Sequence, residues 1–271
     1  MPRTLVFCHA NGFPAGTYRM LFDRWRRAGW HVIAPEKFGH DARYPVSSNW
    51  PHLRDELLDF IRVHTADRPV WLAGHSLGGY LALLAACHRP ELVRGLVMLD
   101  SPVVGGWRAH SVQVMKATGL MGRVSPGKVS HKRRAQWPST EAARAHFAAK
   151  HAFARWDPAV LDDYLACGFE AAPQGGVELA FRREVETALY NTLPHHFDRL
   201  LHRHPPQGPV AFIGGTRSAE VHQAGLTQTR AVTRGRLHWI DGSHLFPMEQ
   251  PRATADAVLD QLAAMAEEKT R

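Results

Sequence analysis

The stretch GHSLG, residues 74–78, places a serine between two glycines, at the end of an apolar run and the start of an alanine-rich one. The first run, PVWLA, is typical of a buried strand, and the second, YLALLAA, of a buried helix. In a sharp turn between them, Gly74 and Gly78 let neighbouring backbone approach without a Cβ clash. Ser76 could be an ordinary turn residue, but this setting favours an exposed hydroxyl. We therefore interpret Ser76 as a nucleophile.

A serine nucleophile needs a base, and His244 is the candidate. It lies in WIDGSHLFPMEQP, where a loop with glycine and serine follows a strand pattern and leads into the last helix. The chain has 18 histidines, so a structural role for this one is the alternative. Its position in a late loop at a strand end favours the base.

Two backbone amides could bind the negative charge that develops on a substrate oxygen. The helix after the nucleophile begins at Leu77, where the free N–H group and the helix dipole favour an anion. The second donor is the N–H of Asn11 in CHANG, where the first apolar run ends and His9 and Gly12 shape the turn. An ordinary Asn-Gly turn is the alternative.

Strands and helices must position these residues, and the chain alternates between the two patterns. Six short apolar runs are typical of buried strands: 4–10, 31–35, 69–74, 94–100, 209–215 and 236–241. They are continuously apolar, as in a parallel sheet that is covered on both faces. Amphipathic helices lie between them, such as WPHLRDELLDFIRVH. This alternation predicts a doubly wound α/β sheet.

The alternation stops after the fourth of these strands. The next hundred or so residues show several helix patterns but no convincing strand. In WDPAVLDDYLACG, for example, Asp157 is a suitable N-cap and Gly168 a suitable exit. We expect residues 102–207 to form a helical cap, inserted into a core made of residues 1–101 and 208–271.

Together these motifs resemble those of the α/β-hydrolase family: the His-x-x-Gly turn from His9 to Gly12, the Gly-x-Ser-x-Gly corner and the late histidine in GSHLFPMEQP. The likeness covers residues 1–101 and 208–271, and the cap resembles the family only in its position. It implies an α/β-hydrolase core with a mostly parallel sheet. The chain starts on the strand that carries the oxyanion turn, so we expect about six strands rather than the eight of many relatives.

The triad acid is where the sequence departs most from the family's pattern. Relatives commonly carry an aspartate shortly after the strand that follows the cap, but here that loop reads IGGTRSAEV, with Ser218 near the expected position and Glu220 two residues later. Some relatives use the end of the strand before the cap, where this chain has Asp100. We favour Asp100, which needs no long reach, and keep Glu220 as the alternative acid. Either preserves the order serine, acid, histidine.

The resemblance implies a serine hydrolase that acts on carboxylic esters through an acyl-enzyme, with a Ser-His-Asp/Glu triad. Thioesterases, lactonases and hydrolases of C–C bonds are alternatives, because they use the same machinery. A serine at the corner argues against dehalogenases and epoxide hydrolases of this fold, which would use aspartate. A non-catalytic binding protein is less favoured, and only the missing aspartate after the post-cap strand suggests it.

Aromatic and histidine side chains of the cap could line an apolar pocket. The candidates for substrate contact are His75, beside the nucleophile, and Trp107 and His195, in the cap. Four cap histidines lie close in sequence: His195, His196, His202 and His204. Because no HExxH motif or cysteine pair accompanies them, we expect no metal site. The chain has no phosphate-binding glycine loop and no dinucleotide fingerprint, so we expect no cofactor.

The composition, with 45% hydrophobic and 21% charged residues in 271, is typical of a globular protein. A net charge of +8 could indicate nucleic acid or anionic lipid as a partner, but the arginines are spread along the chain and the one compact basic run is HKRR at 131–134. We expect a small-molecule acyl substrate, and neither nucleic acid nor a membrane; the oligomeric state is open. The three cysteines are far apart, which predicts free thiols, and no N-terminal signal pattern is present, so we expect a cytoplasmic protein.

Overall fold

The computed structural model describes residues 3–105 and 127–268. In these ranges the strands are β1 (Arg3–Cys8), β2 (Trp30–Ile33), β3 (Val70–His75), β4 (Val93–Leu99), β5 (Gln136–Trp137), β6 (Phe169–Ala171), β7 (Val177–Leu179), β8 (Val210–Gly215) and β9 (Leu237–Ile240). The α-helices are α1 (Arg19–Arg27), α2 (Pro51–Thr65), α3 (Leu77–His88), α4 (Gly127–Lys132), α5 (Thr140–Ala148), α6 (Pro158–Cys167), α7 (Arg183–Asn191), α8 (Phe197–Arg203), α9 (Ala219–Ala224), α10 (Thr227–Thr233), α11 (Phe246–Glu249) and α12 (Pro251–Glu268). Short 3-10 helices cover Ala15–Tyr18 and Pro90–Leu92.

Six strands form one parallel sheet in the order β2-β1-β3-β4-β8-β9. This confirms the predicted fold class and strand number, and each predicted strand lies within two residues of an observed one. The chain leaves β1 toward one edge of the sheet and then crosses to the other side at β3. In such sheets the crevice at the carboxyl ends of the strands, next to this switch point, is the usual place for a ligand. The turns after β1 and β3 both lie there.

The four inner strands of the sheet, β1, β3, β4 and β8, are largely buried on both faces, which explains why they are continuously apolar. In β1, Leu5 and Phe7 point to the face that α1 and α12 cover. Val6 and Cys8 alternate with them and point to the face that α2 and α3 cover. Burial also raises the pKa of the Cys8 thiol, and all three cysteines are free, as predicted.

The segment between β4 and β8 contains a small second sheet, which differs from the prediction that it has no strand. The sheet is antiparallel, with the order β5-β7-β6. Its strands have only two or three residues, too few to produce a visible periodicity in the sequence. Gly175 and Gly176, at φ +93° and +79°, form the turn between β6 and β7. The predicted helices are present, and Asp157 caps α6 through a 2.9 Å contact to the amide of Ala159. The limits of the cap, 102–207, remain a prediction.

Among the described residues, no helix is both long enough and apolar enough to span a lipid bilayer.

Candidate active site

Ser76 lies on the corner between β3 and α3. Its φ of +53° is in the left-handed region, which is unusual for a residue other than glycine, and its N–H donates to the carbonyl of Leu99 at 2.9 Å. A Cβ atom at Gly78 would overlap the carbonyl of Cys8 in the neighbouring strand, and one at Gly74 would overlap the backbone of Gly78. The corner therefore needs glycine at both positions, as the sequence pattern predicts.

His244 bridges the serine and a carboxylate. Its Nε2 atom lies 3.0 Å from Oγ of Ser76, and its Nδ1 atom lies 2.7 Å from Oδ2 of Asp100. Ser76 follows β3, Asp100 follows β4 and His244 follows β9, so the three side chains meet at the carboxyl edge of the sheet. The structure thus brings the predicted nucleophile, base and favoured acid into one hydrogen-bonded line.

Asp100 is enclosed by donors. Its side chain is fully buried, its Oδ1 accepts the N–H of Gly215 at 2.8 Å, and its Oδ2 accepts the hydroxyl of Ser218 at 2.5 Å as well as His244. The φ of Asp100 is +46°, a conformation that aspartate tolerates better than most residues. Ser218, which lies near the position where the resemblance implies an acid, donates to Asp100. Its oxygen also caps α9 by accepting the N–H of Val221 at 3.2 Å.

Glu220, the alternative acid, lies beside this line without joining it. It is in the first turn of α9, its side chain is half exposed, and its Oε2 atom is 3.8 Å from Nδ1 of His244. Asp100 is at hydrogen-bond distance and Glu220 is not, so the geometry favours Asp100.

Asp100, Glu220 and His244 are also the one cluster of three potential metal ligands within residues 3–105 and 127–268. His195, His196, His202 and His204 do not form such a cluster in these ranges. Nδ1 of His244 and Oδ2 of Asp100 are 2.7 Å apart, closer than the separation of about 3.3 Å that two ligands of a tetrahedral ion adopt. The spacing is that of a hydrogen bond and not of a metal site.

The charges around His244 favour its protonated form. Burial lowers the pKa of His244, but the hydrogen bond and charge of Asp100, together with the charge of Glu220, outweigh burial and raise the pKa above its ordinary value of 6.5. When His244 takes a proton during a reaction, Asp100 and Glu220 would therefore stabilise the imidazolium.

Glu249 holds the loop that carries His244, a role that the sequence did not reveal. Its carboxylate accepts the N–H of Ser243 at 3.0 Å and the Ser243 hydroxyl at 2.5 Å. The Ser243 oxygen in turn accepts the N–H of Leu245 at 3.1 Å. The only signal was an acidic residue in FPMEQP, and nothing in its spacing pointed to the loop.

The position of the His75 side chain does not support its predicted contact with substrate. We expected it to contact substrate, but the side chain is completely buried. One ring nitrogen contacts the hydroxyl of Tyr18 and the other contacts the backbone carbonyl of His244. The ring therefore has no nitrogen left to bind a ligand.

The two predicted oxyanion donors follow neighbouring strands. Asn11 lies in the turn after β1 and Leu77 begins α3 after β3, and these two strands pair directly. Both residues are buried, and neither backbone N–H has a hydrogen-bond acceptor in the part of the chain that the structure describes. The side chain of Asn11 donates to the carbonyl of Glu186 in α7 at 3.1 Å, so the turn is tied to the insertion. The role of the two amides in catalysis stays a prediction.

An aromatic cluster lies next to the oxyanion turn. Phe13 packs against Trp156, Tyr164 and Phe153 of the insertion, with ring centroids 5.5, 5.7 and 6.4 Å apart. Phe13 follows Asn11 by two residues, so this cluster begins at the turn after β1. Of the other predicted substrate contacts, His195 is half-buried with its N–H on Oδ1 of Asn49 at 3.0 Å, and its role stays a prediction. Trp107 lies outside the described residues.

Comparison with known proteins finds several that are similar to this chain in sequence. Residues 5–257 match the model of the alpha/beta hydrolase family. The monoglyceride lipase of Mus musculus is 30% identical over 132 residues, which cover 46% of this chain and 44% of the lipase. The match therefore spans less than half the length of that lipase. The abhydrolase domain-containing protein AFT2-1 of Alternaria alternata is 27% identical over 233 residues, covering 71% of this chain and 82% of that protein.

Solved structures share the fold at low sequence identity. E-2-(acetamidomethylene)succinate hydrolase superposes with a TM-score of 0.72 and 20% identity, over 96% of this chain and 90% of that one. The thioesterase domain from the curacin biosynthetic pathway superposes with a TM-score of 0.73 and 19% identity, over 95% and 91% of the two chains. With the family match over nearly its whole length, the chain belongs to the alpha/beta hydrolase family.

Proposed function

We propose that this chain is a serine hydrolase that cleaves carboxylic esters through an acyl-enzyme. Ser76 is the nucleophile, His244 the general base and Asp100 the acid that orients it. The observation that carries the proposal is the continuous line from Ser76 Oγ to His244 Nε2, at 3.0 Å, and from His244 Nδ1 to Asp100 Oδ2, at 2.7 Å. An unaided serine hydroxyl is a weak nucleophile, and this arrangement supplies what it lacks.

In the first half of the reaction, Oγ of Ser76 attacks the ester carbonyl while Nε2 of His244 takes its proton. Asp100 keeps the imidazole in the tautomer with hydrogen on Nδ1 and stabilises the imidazolium. The proton then passes from Nε2 to the leaving alcohol, and the acyl group stays on Ser76. Water, deprotonated by the same histidine, releases the acid and restores the serine.

The backbone N–H groups of Asn11 and Leu77 are the proposed donors to the oxyanion. Supporting this role, both amides follow adjacent strands at the edge of the sheet where Ser76 stands, and neither has an acceptor among the described residues. The N-terminus of α3 adds its dipole to the same point. Such donors lower the barrier because they stabilise charge that exists only in the transition state.

Two observations favour an ester with an apolar acyl group. The first is the aromatic cluster around Phe13, which lies two residues after Asn11 in the chain, and we infer that it lines the acyl site. A relative that matches across 46% of this chain is named monoglyceride lipase. An apolar wall stabilises an acyl chain by removing it from water, at about 0.8 kcal/mol per CH₂ group.

The test is a series of p-nitrophenyl esters, from acetate to laurate, with the wild type and with Ser76→Ala. Thioesters and lactones of matched acyl length run beside them, because the same steps would open their carbonyls. We expect ester hydrolysis that improves with acyl length up to an optimum and falls at least about a thousandfold in Ser76→Ala. Ser139→Ala, which removes a serine that caps α5, is the control and retains activity. Thioester turnover well above ester turnover would overturn the ester assignment and keep the nucleophile.

A further inference from the structure

Two buried side chains connect the oxyanion turn to the histidine loop through the interior of the protein. The N–H of Ala10 contacts Oη of Tyr18 at 3.2 Å, and this hydroxyl lies 2.7 Å from Nδ1 of His75. Nε2 of His75 lies 2.9 Å from the backbone carbonyl of His244. Tyr18 is 1% exposed and His75 is 0% exposed, so water does not compete for the contact between their side chains.

The chemistry of the groups fixes the direction of every hydrogen bond in this line. The carbonyl of His244 can only accept, so Nε2 of His75 carries the hydrogen and Nδ1 of the neutral ring accepts the hydroxyl of Tyr18, whose oxygen in turn accepts the N–H of Ala10. Burial, and next the charge of the nearby His244, lower the pKa of His75 well below its ordinary value, so the ring stays neutral when His244 takes a proton.

The line ends at two points that the proposed reaction uses. Ala10 directly precedes Asn11, the proposed oxyanion donor, and the other end is the backbone of the proposed base. We propose that Tyr18 and His75 are positioning residues, which hold the backbone of His244 in register with the oxyanion turn so that its imidazole stays aligned with Ser76. This inference rests on the proposed function. It assigns His75 a purpose other than contact with substrate.

His75 contacts the backbone of His244 directly, whereas the buried side chain of Glu249 holds the residues on either side of it. Glu249 holds Ser243 and, through it, Leu245. A displacement of a base by about 1 Å costs up to a hundredfold in rate without weakening substrate binding. The expected signature is therefore a fall in kcat at constant KM.

Two substitutions at one position separate the hydrogen bond from the bulk of the side chain. The amide nitrogen of a glutamine reaches the place of Nε2, whereas that of an asparagine stops near Nδ1. We expect His75→Asn to lower kcat for p-nitrophenyl butyrate at least about tenfold at unchanged KM, and His75→Gln to remain within about threefold of the wild type. Tyr18→Phe also lowers kcat, and in a His75→Asn background it adds little, since both changes break the same line.

Thr254→Val is the matched control. It removes a buried hydroxyl in α12 that donates to the carbonyl of Gln250, just before the helix, at 2.8 Å. We expect a lower Tm with unchanged kcat. The inference is overturned if His75→Asn keeps the wild-type kcat, or if His75→Gln is as slow as His75→Asn. It is also overturned if Thr254→Val loses as much kcat as His75→Asn when the two variants have the same Tm.

Labelling by a small fluorophosphonate separates this inference from the proposed function. If the wild type is labelled at Ser76 and His75→Asn is labelled more slowly, both stand. If both proteins are labelled at the same rate, the inference fails and the function stands. A wild type that is not labelled at all removes the proposed function, and the positioning role with it.

Discussion

The carboxylate of Asp100 meets the imidazole of His244 at 2.7 Å, at the end of β4 and not after β8. The loop after β8 contributes a serine in place of an acid: Ser218 donates to the same oxygen of Asp100 that contacts His244. With the N–H of Gly215 on its other oxygen, the buried carboxylate has three donors, and so its charge is compensated. The proposed acid therefore lies at the end of β4, before the insertion, and the loop after β8 supports it.

Removal of the Asp100 charge tests which carboxylate orients the base. We expect Asp100→Asn to lower kcat at least about a thousandfold, because the imidazole loses both its orienting partner and the stabilisation of its charged form. Glu220→Gln is the control, since its oxygen is 3.8 Å from Nδ1 of His244, and it changes kcat less than about fivefold. Steady-state kinetics at pH 8 measures both. A larger loss in Glu220→Gln than in Asp100→Asn would exchange the two roles.

The pH dependence follows from the raised pKa of His244. The base must be neutral to accept a proton, so kcat/KM falls as the pH drops through this pKa. The midpoint is expected above the ordinary value of 6.5. Glu220→Gln removes one of the charges that raise the pKa, so its midpoint moves to lower pH. A wild-type midpoint at or below 6.5 would show that burial outweighs the carboxylates, and a midpoint that rises in the variant would show that the charge of Glu220 does not raise the pKa of His244.

Ser218→Ala separates support of the acid from the capping of a helix. The change removes a donor to Asp100 and the cap of α9, so we expect the free energy of unfolding to fall by about 1–2 kcal/mol and kcat to fall about tenfold. Ser139→Ala removes the corresponding cap of α5, whose oxygen accepts the N–H of Ala142 at 3.2 Å, and lowers stability alone. Denaturant unfolding and ester kinetics distinguish the two. Equal kcat in both variants would mean that the Ser218 hydroxyl matters only as a cap.

Gly78, in the turn that carries Ser76, leaves no room for a side chain. In Gly78→Ala, the new methyl group would overlap the Cys8 carbonyl, so β1 and α3 must separate. We expect the free energy of unfolding to fall by about 3 kcal/mol or more, with loss of activity. Gly29→Ala is the comparison, because its φ is +85° but no atom lies within 4 Å of the added carbon, and it costs about 1 kcal/mol. A Gly78→Ala protein as stable as Gly29→Ala would contradict the packing at this corner.

The sequence was sufficient to predict the sheet and the line from Ser76 to His244, because both leave local signals. Buried strands have continuous apolar runs, and the corner needs glycines at fixed spacing. Asp100 was preferred over Glu220 on the same local ground, its place at the end of a strand, and the distances to His244 agree with that preference.

Other parts of the site depend on contacts between distant residues. Tyr18 and His75 are 57 positions apart, and Ser218 and Asp100 are 118 apart. A single sequence does not indicate such pairs, because each side chain taken alone is typical of an ordinary helix or turn. The strands of the insertion were missed for a different reason, since two or three residues carry no periodic pattern.

The central claim is that Ser76 is the nucleophile, and covalent labelling tests it most directly. The wild type is incubated with a fluorophosphonate, digested, and the modified peptide is identified by mass spectrometry, with Ser76→Ala and Asp100→Asn treated in parallel. We predict one adduct on the peptide that contains Ser76, none in Ser76→Ala and much slower labelling in Asp100→Asn. An unlabelled wild type, or an adduct on another serine at the same rate in all three proteins, would contradict the account.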